Sequence, residues 1–286
     1  MGISFNEVSH NYFGVRKKDV TKALDNINLD ISDKDEFVAL VGKTGSGKTT
    51  LLSHMNGLLL PTSGNIKIFD YVITPKKNKN PKMNKIRKRV GYVFQFPEYQ
   101  LFAETVMKDI IFAPLNFGIK KEDAEKRAHE VAKKLKIEKL LNKSPFDLSG
   151  GQMRKVAVAG ILAYDPDILL LDEPTRGLDP VGAEELMKLF NDIHKEFHKT
   201  IIIITHDMNL VYEYATRVVV LNNTKMVYDG DKIELFKSDI YKNYSLNKPE
   251  LLKIVDYLND KFNYNLDYKV FNIEDLLGKL EEVNHE

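Results

Sequence analysis

The residues best suited to chemistry in this chain form one stretch, Gly42-Lys43-Thr44-Gly45-Ser46-Gly47-Lys48-Thr49-Thr50. It matches the pattern G-x-x-x-x-G-K-[ST] without a mismatch. Glycines let a backbone approach a ligand closely, and the N–H groups of such a loop point inward at the positive end of a helix. Lys48 would reach the β- and γ-phosphates, and the Thr49 hydroxyl would bind Mg²⁺. The stretch therefore predicts a site for a nucleoside triphosphate.

A strand and a helix must hold this loop in place. Phe37–Val41 is an apolar run short enough for a buried strand, and Leu51–Asn56 is typical of the first turns of a helix. The alternative is a glycine-rich turn that binds nothing. The order of strand, loop and helix argues against it.

Two acids follow another short apolar run. Ile168–Leu171 predicts a buried strand that leaves Asp172 at its end, near the phosphate loop. Asp172 could hold Mg²⁺ directly or through water. Glu173 projects differently and could accept a proton from the attacking water. The competing interpretation is an acidic turn.

Gln95 and His206 also end predicted strands. Residues 90–94 and 200–205 are apolar, and the second run is too apolar for a half-exposed strand, which indicates a parallel sheet covered on both faces. One of the two side chains could orient water or Mg²⁺, and the other could contact the γ-phosphate. A lone histidine is more often structural, but four polar residues that each follow a buried strand form a pattern at one edge of an α/β sheet.

A second anion site is predicted at Leu148-Ser149-Gly150-Gly151-Gln152, which opens a helix running to about Tyr164. Ser149 can cap that helix, and Gly150 and Gly151 expose its first N–H groups.

Composition sets limits on function. The 286 residues are enough for one large or two modest domains. A net charge of +1 argues against a broad nucleic-acid footprint. The absence of cysteine excludes disulfides, thiolate metal sites and cysteine nucleophiles. No apolar run approaches the ~20 residues that span a bilayer, so we expect any membrane role to come through a partner.

The remaining segments define the predicted domains. Residues 3–13 and 23–31 alternate as antiparallel strands do, and residues 64–73 resemble another strand pair. Tyr12 could stack on a base or simply pack in an edge strand. Residues 104–141 are mostly helical by periodicity, with Pro114 and Gly118 as breaks, and residues 184–197 form an amphipathic helix. Beyond Gly230 polar helical segments take over at 248–262 and 273–283. We therefore place a boundary near residue 230.

A lysine-rich stretch, residues 74–89, contains no acid. It could be a solvated loop that enters a helix, or a surface facing anionic lipid headgroups. The first interpretation is preferred.

These motifs together resemble the ATP-binding-cassette (ABC) ATPases, over about residues 3 to 230. The resemblance implies an α/β fold with a RecA-like parallel sheet, an N-terminal antiparallel β subdomain and a helical signature subdomain at about residues 98–164. It also implies the cofactors ATP and Mg²⁺, and two cassettes that meet head to tail around nucleotide. Arg176 stands where the family usually has a small residue.

The resemblance assigns a role to each motif residue. The ATP-binding residues are Tyr12, Gly42, Lys43, Thr44, Gly45, Ser46, Gly47, Lys48, Thr49 and Thr50; the catalytic residues are Glu173, His206, Gln95 and Lys48; the metal-binding residues are Thr49, Gln95 and Asp172; the signature residues, which serve the partner's ATP, are Ser149, Gly150, Gly151 and Gln152; and the D-loop residue is Asp179.

Further stretches resemble the ATPases of energy-coupling-factor (ECF) transporters: residues 93–102, 104–106, 54–59, 61–64 and 144–146. Of the two paralogous ATPases in these systems, the second is the one that residues 96–102 resemble. That resemblance implies an ATPase on the cytoplasmic face of the membrane that energises uptake of vitamins or other micronutrients. Its partners would be a paralogous ATPase, a transmembrane coupling subunit and exchangeable substrate-capture subunits, with no nucleic acid. The extension at residues 231–286 would contribute to ATPase pairing.

Other functions remain open as alternatives. An ATPase subunit of another ABC importer is the main one. A translation ABC ATPase usually carries two cassettes, and a chromosome or repair ATPase carries a long coiled coil. Both are disfavoured because this sequence has one cassette and no such heptads. A non-hydrolysing binding module is disfavoured by Glu173 and His206. The apolar residues after Gln95 could receive helices of a coupling subunit or could fill the core of the helical subdomain; Tyr99 and Phe102 are the better interface candidates, and Leu101 is the better core candidate.

Overall fold

A computed structural model describes residues 2–14, 19–77 and 80–284 of the chain. Its strands are Ile3–Phe13 (β1), Val20–Ile31 (β2), Phe37–Val41 (β3), Ser63–Ile68 (β4), Tyr71–Ile73 (β5), Val90–Val93 (β6), Ile168–Asp172 (β7), Thr200–Ile204 (β8), Arg217–Asn222 (β9) and Lys225–Asp231 (β10). Its α-helices are Lys48–Met55 (α1), Met83–Arg87 (α2), Val106–Asn116 (α3), Lys121–Lys134 (α4), Gly150–Leu162 (α5), Pro180–Phe197 (α6), Met208–Tyr214 (α7), Lys232–Lys237 (α8), Ile240–Asn243 (α9), Glu250–Phe262 (α10) and Ile273–Asn284 (α11).

Two sheets form the framework. The smaller sheet is antiparallel, in the order β2-β1-β4-β5. The larger has the order β10-β9-β3-β8-β7-β6, and its strands β9, β3, β8, β7 and β6 pair in parallel. Every residue of β3, β7 and β8 is buried, as expected for parallel strands covered on both faces. One hydrophobic cluster fills the space between the two sheets and α1, and a second lies between the large sheet, α6 and α7. The predicted α/β fold class is confirmed.

A third hydrophobic cluster belongs to the helices between the large sheet's strands β6 and β7. It joins buried residues of α3, α4 and α5, and Leu101 is one of its members. Gly118 has a φ of 82° and lies just beyond α3, which ends at Asn116. The prediction that Pro114 breaks the helix is wrong, because α3 continues past it and the N–H of Phe117 still donates to the carbonyl of Ala113.

Helix α6 begins earlier than the periodicity predicts. Asp179 caps it by accepting from the N–H of Gly182 at 2.9 Å, and Pro180 occupies the first turn. A proline is favourable there because its missing N–H would have no helical partner and its φ is already helical. The apolar stripe starts only later in the helix, which is why the pattern places the start at Glu184.

The C-terminal helices pack beside α7. Leu252 and the partly buried Tyr268 and Phe271 join the cluster that contains Tyr212 of α7, and the Tyr212 hydroxyl donates to the carbonyl of Tyr268. A small fourth cluster, centred on Val255 and Val270, holds α10 and α11 to each other. No strand follows β10 in the part of the chain that the structure describes.

Candidate functional site

The phosphate loop joins β3 to α1, as the sequence predicts. Gly42 has a φ of 139°, and a Cβ there would lie 2.0 Å from the carbonyl oxygen of Leu221. Gly47 has a φ of 107°, and a Cβ there would lie 2.3 Å from the carbonyl oxygen of Ala23. Both positions therefore require glycine, because the conformation and the space exclude a side chain.

Lys48 lies within this loop rather than in solvent. Its Nζ donates to the carbonyls of Gly42 at 2.7 Å and Lys43 at 2.9 Å. An ammonium has three donors, so a third remains for a phosphate oxygen. Burial lowers the pKa of Lys48, while the negative charges of Glu173 and Asp172 oppose that shift. The buried Ser46 Oγ has no partner in the described residues, so the loop offers an unsatisfied polar group as well as a cation. These groups fit a bound polyphosphate.

Asp172 ends β7 and is buried. The Tyr92 hydroxyl donates to its Oδ2 at 3.1 Å. Burial raises the pKa of Asp172, and hydrogen bonds from Tyr92 and Thr49 act in the opposite direction. A buried carboxylate beside the Thr49 hydroxyl supplies the oxygen ligands that Mg²⁺ prefers. The donor set therefore fits the predicted metal.

Three side chains converge on the carboxylate of Glu173. Gln95 Nε2 donates to Oε2 at 3.0 Å, Arg176 Nη1 donates to the same oxygen at 3.0 Å, and His206 Nε2 lies 3.3 Å from Oε1. Glu173 itself has a φ of 46°, a left-handed conformation that glutamate rarely adopts. A carboxylate oriented in this way can accept a proton from water at the cleft.

Most of the predicted ATP-binding residues line a single cleft of about 870 Å³. The predicted ATP-binding residues that line the cleft are Tyr12, Thr44, Gly45, Gly47, Lys48, Thr49 and Thr50. The predicted catalytic residues Gln95, Glu173 and His206 line it as well. Gly42, Lys43, Ser46 and Asp172 do not line it, although they lie in or beside the loop that does.

Tyr12 is placed at the cleft by a buried pair of histidines. Its hydroxyl lies 3.2 Å from Thr50 Oγ1, and its ring meets the edge of the His10 ring at 4.7 Å. His54 Nδ1 donates to the carbonyl of Thr50 at 2.7 Å, and His10 Nδ1 donates to the carbonyl of Leu60 at 3.0 Å. His54 Nε2 lies 3.2 Å from His10 Nδ1. Tyr12 is 44% exposed, so one side of the ring remains available to a base.

The predicted signature residues lie elsewhere. Ser149 caps α5, as predicted, and Gln152 completes a capping box with it. Ser149, Gly150, Gly151 and Gln152 are all exposed, and a Cβ added to either glycine would meet no atom within 4 Å. None of them lines the cleft, and neither does Asp179, the cap of α6. The two predicted anion sites of the chain are thus separate.

The structure adds three residues that sequence reasoning missed. Tyr92 contacts Asp172, Arg176 contacts Glu173, and Arg154 contacts the backbone that follows Glu173. In the sequence, Arg176 stands out only as a departure from the usual small residue. Arg154 and Lys155 are adjacent charged residues early in the predicted helix, and no local sequence signal distinguishes Arg154 from Lys155.

Comparison with known proteins agrees with this geometry. A family model described as ABC transporter matches residues 24–176. Together with the two sheets, the phosphate loop and the capped signature helix, the match defines an ATP-binding cassette.

Relatives specify the kind of cassette. An energy-coupling factor transporter ATP-binding protein EcfA2 from Ligilactobacillus salivarius is 53% identical over 84% of this chain and 83% of its own length. The EcfA2 of Bacillus subtilis is 46% identical over 90% of this chain and 94% of its own. A solved structure of cbiO1 from Clostridium perfringens, described as part of the ABC transporter complex cbiONQ, has a TM-score of 0.72 and 35% identity, and covers 89% of this chain and 98% of its own.

A second solved structure shows a cassette with hydrolysis products. It is MJ0796, a dimer in a post-hydrolysis state bound to ADP and Pi, with a TM-score of 0.71 and 30% identity over 80% of this chain and 98% of its own. This chain belongs to the ABC transporter family, among the energy-coupling factor transporter ATP-binding proteins.

Proposed function

We propose that this chain is the ATP-binding and ATP-hydrolysing subunit of an ECF-type importer, energising uptake of vitamins or other micronutrients through membrane partners. The observation that carries the proposal is the convergence of Lys48, Glu173, Gln95 and His206 on one cleft above the phosphate loop. Lys48 holds phosphate, and Tyr12 stacks on the base. Glu173 accepts the proton of the attacking water, while Gln95 and His206 keep its carboxylate in place.

Mg²⁺ is part of this proposal. Thr49, Asp172 and Gln95 would hold it, and the ion would neutralise charge on the β- and γ-phosphates. The chain's own contribution is to present the Asp172 carboxylate at the end of a rigid buried strand, oriented by the Tyr92 hydroxyl. A divalent cation would favour the ionised carboxylate and so offset the effect of burial.

The signature motif acts across a dimer interface in this proposal. Ser149–Gln152 presents a capped, exposed helix start that serves no cleft in its own chain. In a head-to-tail pair it completes the phosphate site of the partner, a paralogous ATPase. Asp179, at the cap of α6, contributes to the same interface. ATP then closes the pair because it is bound by groups from both chains.

The C-terminal extension, residues 231–286, contributes to the pairing. Apolar side chains remain exposed on both of its longer helices: Ile254, Tyr257 and Phe262 on α10, and Ile273 and Leu277 on α11. Exposed apolar patches of this kind mark protein contacts. Residues 1–230 form the ATPase domain, and its helical subdomain, about residues 98–164, contains the third hydrophobic cluster.

Membrane partners meet the segment that follows Gln95. Tyr99 is 84% exposed and Phe102 is 58% exposed, whereas Leu101 is buried in the helical cluster. This division supports Tyr99 and Phe102 as anchors for a coupling subunit and Leu101 as a core residue, because exposed aromatic side chains are typical anchors of protein contacts. Exchangeable substrate-capture subunits in the membrane complete the complex, and this chain lies at the cytoplasmic face of the membrane. None of the helices in the described ranges is long and apolar enough to cross a membrane.

For the lysine-rich stretch, residues 74–89, a solvated loop remains the preferred interpretation over a surface facing lipid headgroups. Arg87 Nη2 donates to the carbonyl of Gly57, and Arg89 pairs with Asp167, so part of its charge is used within the protein. Lys79 lies outside the described residues.

The test is to isolate the full-length chain from its own membranes and to identify its companions by mass spectrometry. We expect a second cassette ATPase and integral membrane proteins, and ATP turnover by the recovered complex. Recovery without any membrane protein, or a complex that binds ATP without hydrolysing it, would contradict the proposal.

A further inference from the structure

Arg154 lies on α5, two residues after the signature motif, and its side chain is buried although it carries a charge. Its partner is Glu98, in the turn Pro97–Gln100. Nη2 donates to Glu98 Oε1 at 3.2 Å, and Nε donates to Oε2 at 3.4 Å. One edge of the Arg154 guanidinium, Nε and Nη2, therefore binds the Glu98 carboxylate.

The other side of the guanidinium is bonded to a different segment. Nη1 donates to the carbonyl of Pro174 at 3.3 Å and to that of Arg176 at 2.6 Å. Both carbonyls belong to the loop that follows Glu173 in the chain. The side chain of Arg176 then returns to the carboxylate of Glu173 at 3.0 Å.

Only arginine can make this set of contacts. Its planar fork offers five N–H donors in fixed directions, whereas lysine offers a single charged nitrogen. Because the group is buried, breaking any one of these hydrogen bonds leaves a charge or a carbonyl unpaired in a medium where that is costly. The Arg154 side chain therefore fixes the relative positions of three segments: helix α5, the turn that contains Glu98 and the loop after Glu173.

We propose that Arg154 is a positioning residue for ATP hydrolysis. It joins the segment after Gln95, the signature helix α5 and the loop that carries Glu173 and Arg176. The proposal rests on the proposed function, because it concerns the same hydrolysis site. Movement of Glu98, which neighbours the exposed Tyr99, is passed through Arg154 to the backbone beside Glu173. Docking at the aromatic segment and orientation of Glu173 are thereby linked.

Rigid positioning has a large effect on rate. A displacement of about 1 Å at a reacting group can lower turnover about 10²-fold. Arg154 touches neither the phosphate loop nor any residue assigned to phosphate binding, so its loss should lower kcat and leave ATP binding in place.

The experiment compares Arg154→Met, Arg154→Lys, Glu98→Gln and the double variant Arg154→Met/Glu98→Gln in the complex recovered with the full-length chain. The double variant removes both charges, so it leaves no uncompensated buried ion. The matched control is Lys155→Met, on the same helix, since Lys155 pairs with Glu185 of α6 at 2.9 Å and contacts no loop of the cleft. Each protein is assayed for kcat, KM for ATP and ATP affinity, at a temperature well below its own melting temperature.

We expect the double variant to lose about 10- to 100-fold in kcat, with KM and affinity within about twofold of wild type. Arg154→Lys should recover only part of the loss, and Lys155→Met should match wild type. Normal kcat in the double variant would overturn the proposal, as would a fall in kcat that comes with weaker ATP binding. If the wild-type complex does not hydrolyse ATP, it is the proposed function that fails; if wild type and double variant hydrolyse it equally, it is the role of Arg154 that fails.

Discussion

The two regions of this chain that are predicted to bind anions are built in opposite ways. The phosphate loop lies in a cleft, with a buried lysine at Lys48, a buried unpaired hydroxyl at Ser46 and an exposed tyrosine, Tyr12, that contacts the buried His10. The signature motif, Ser149–Gln152, is exposed, and its glycines have open space around them. The cleft can therefore bind nucleotide within one chain. The signature helix lines no cleft of its own chain, and this contrast supports the proposal of a site shared between two molecules.

Glu173→Gln gives the largest expected effect and tests the cleft alone. The amide keeps the shape of the carboxylate but cannot accept a proton, and loss of a general base typically lowers rate by ~10²–10⁴. ATP binding should persist, and the closed pair should accumulate. Turnover is measured in the recovered complex and binding by titration. Near-wild-type hydrolysis would remove Glu173 from the role of general base.

Acid should lower the protein's free energy of unfolding through His54, a buried histidine near the cleft. Burial lowers the pKa of His54 to about 4 from an ordinary value of 6.5. The folded protein keeps His54 neutral, while the unfolded chain takes up a proton below about pH 6.5. The contribution to stability is complete above that pH and is lost as pH falls towards 4, by up to about 3 kcal/mol.

Chemical denaturation at several pH values measures this loss, with His54→Gln for comparison. The variant should lose less stability than wild type between pH 7 and pH 5. Burial also lowers the pKa of His10, so His10→Gln serves as a second comparison. Equal pH dependence in wild type and His54→Gln would contradict the assigned environment of His54.

Tyr99→Ala and Phe102→Ala test the exposed side of the molecule. Loss of an aromatic anchor from an interface typically costs about 2 kcal/mol or more, or about 30-fold in affinity. Recovery of the membrane complex should fall while the melting temperature of the isolated chain stays unchanged. Phe197→Ala is the matched control, because Phe197 is also exposed but lies at the end of α6. A lower melting temperature with normal assembly would instead assign the two residues to the core.

How far the sequence predicts these regions depends on the range of the contacts. The phosphate loop and the cap at Ser149 are local patterns, and both can be recognised from consecutive residues. The buried strands place Gln95, Asp172 and Glu173 at one edge of a sheet, because parallel strands end together. The approach of Arg154 to Glu98, 56 residues away, follows from tertiary packing that no local pattern encodes.

Two predicted helix boundaries are wrong, and one contact is missed, because local patterns do not capture capping and tertiary packing. Propensity makes Pro114 a helix break, but α3 continues through it with its last turn still bonded. The apolar stripe sets the predicted start of α6, although the cap residue Asp179 decides it. The contact of Tyr92 with Asp172 joins neighbouring strands, and its register cannot be derived from composition.

The most direct test of the shared site is sedimentation of Glu173→Gln, with and without Ser149→Arg, mixed with the paralogous ATPase at saturating ATP. In the head-to-tail arrangement the arginine occupies the place meant for the partner's γ-phosphate. We predict that Glu173→Gln forms a dimer with ATP and that the double variant stays monomeric with unchanged ATP affinity. A double variant that still dimerises, or one that binds ATP more weakly as a monomer, would show that the signature motif does not act across the interface.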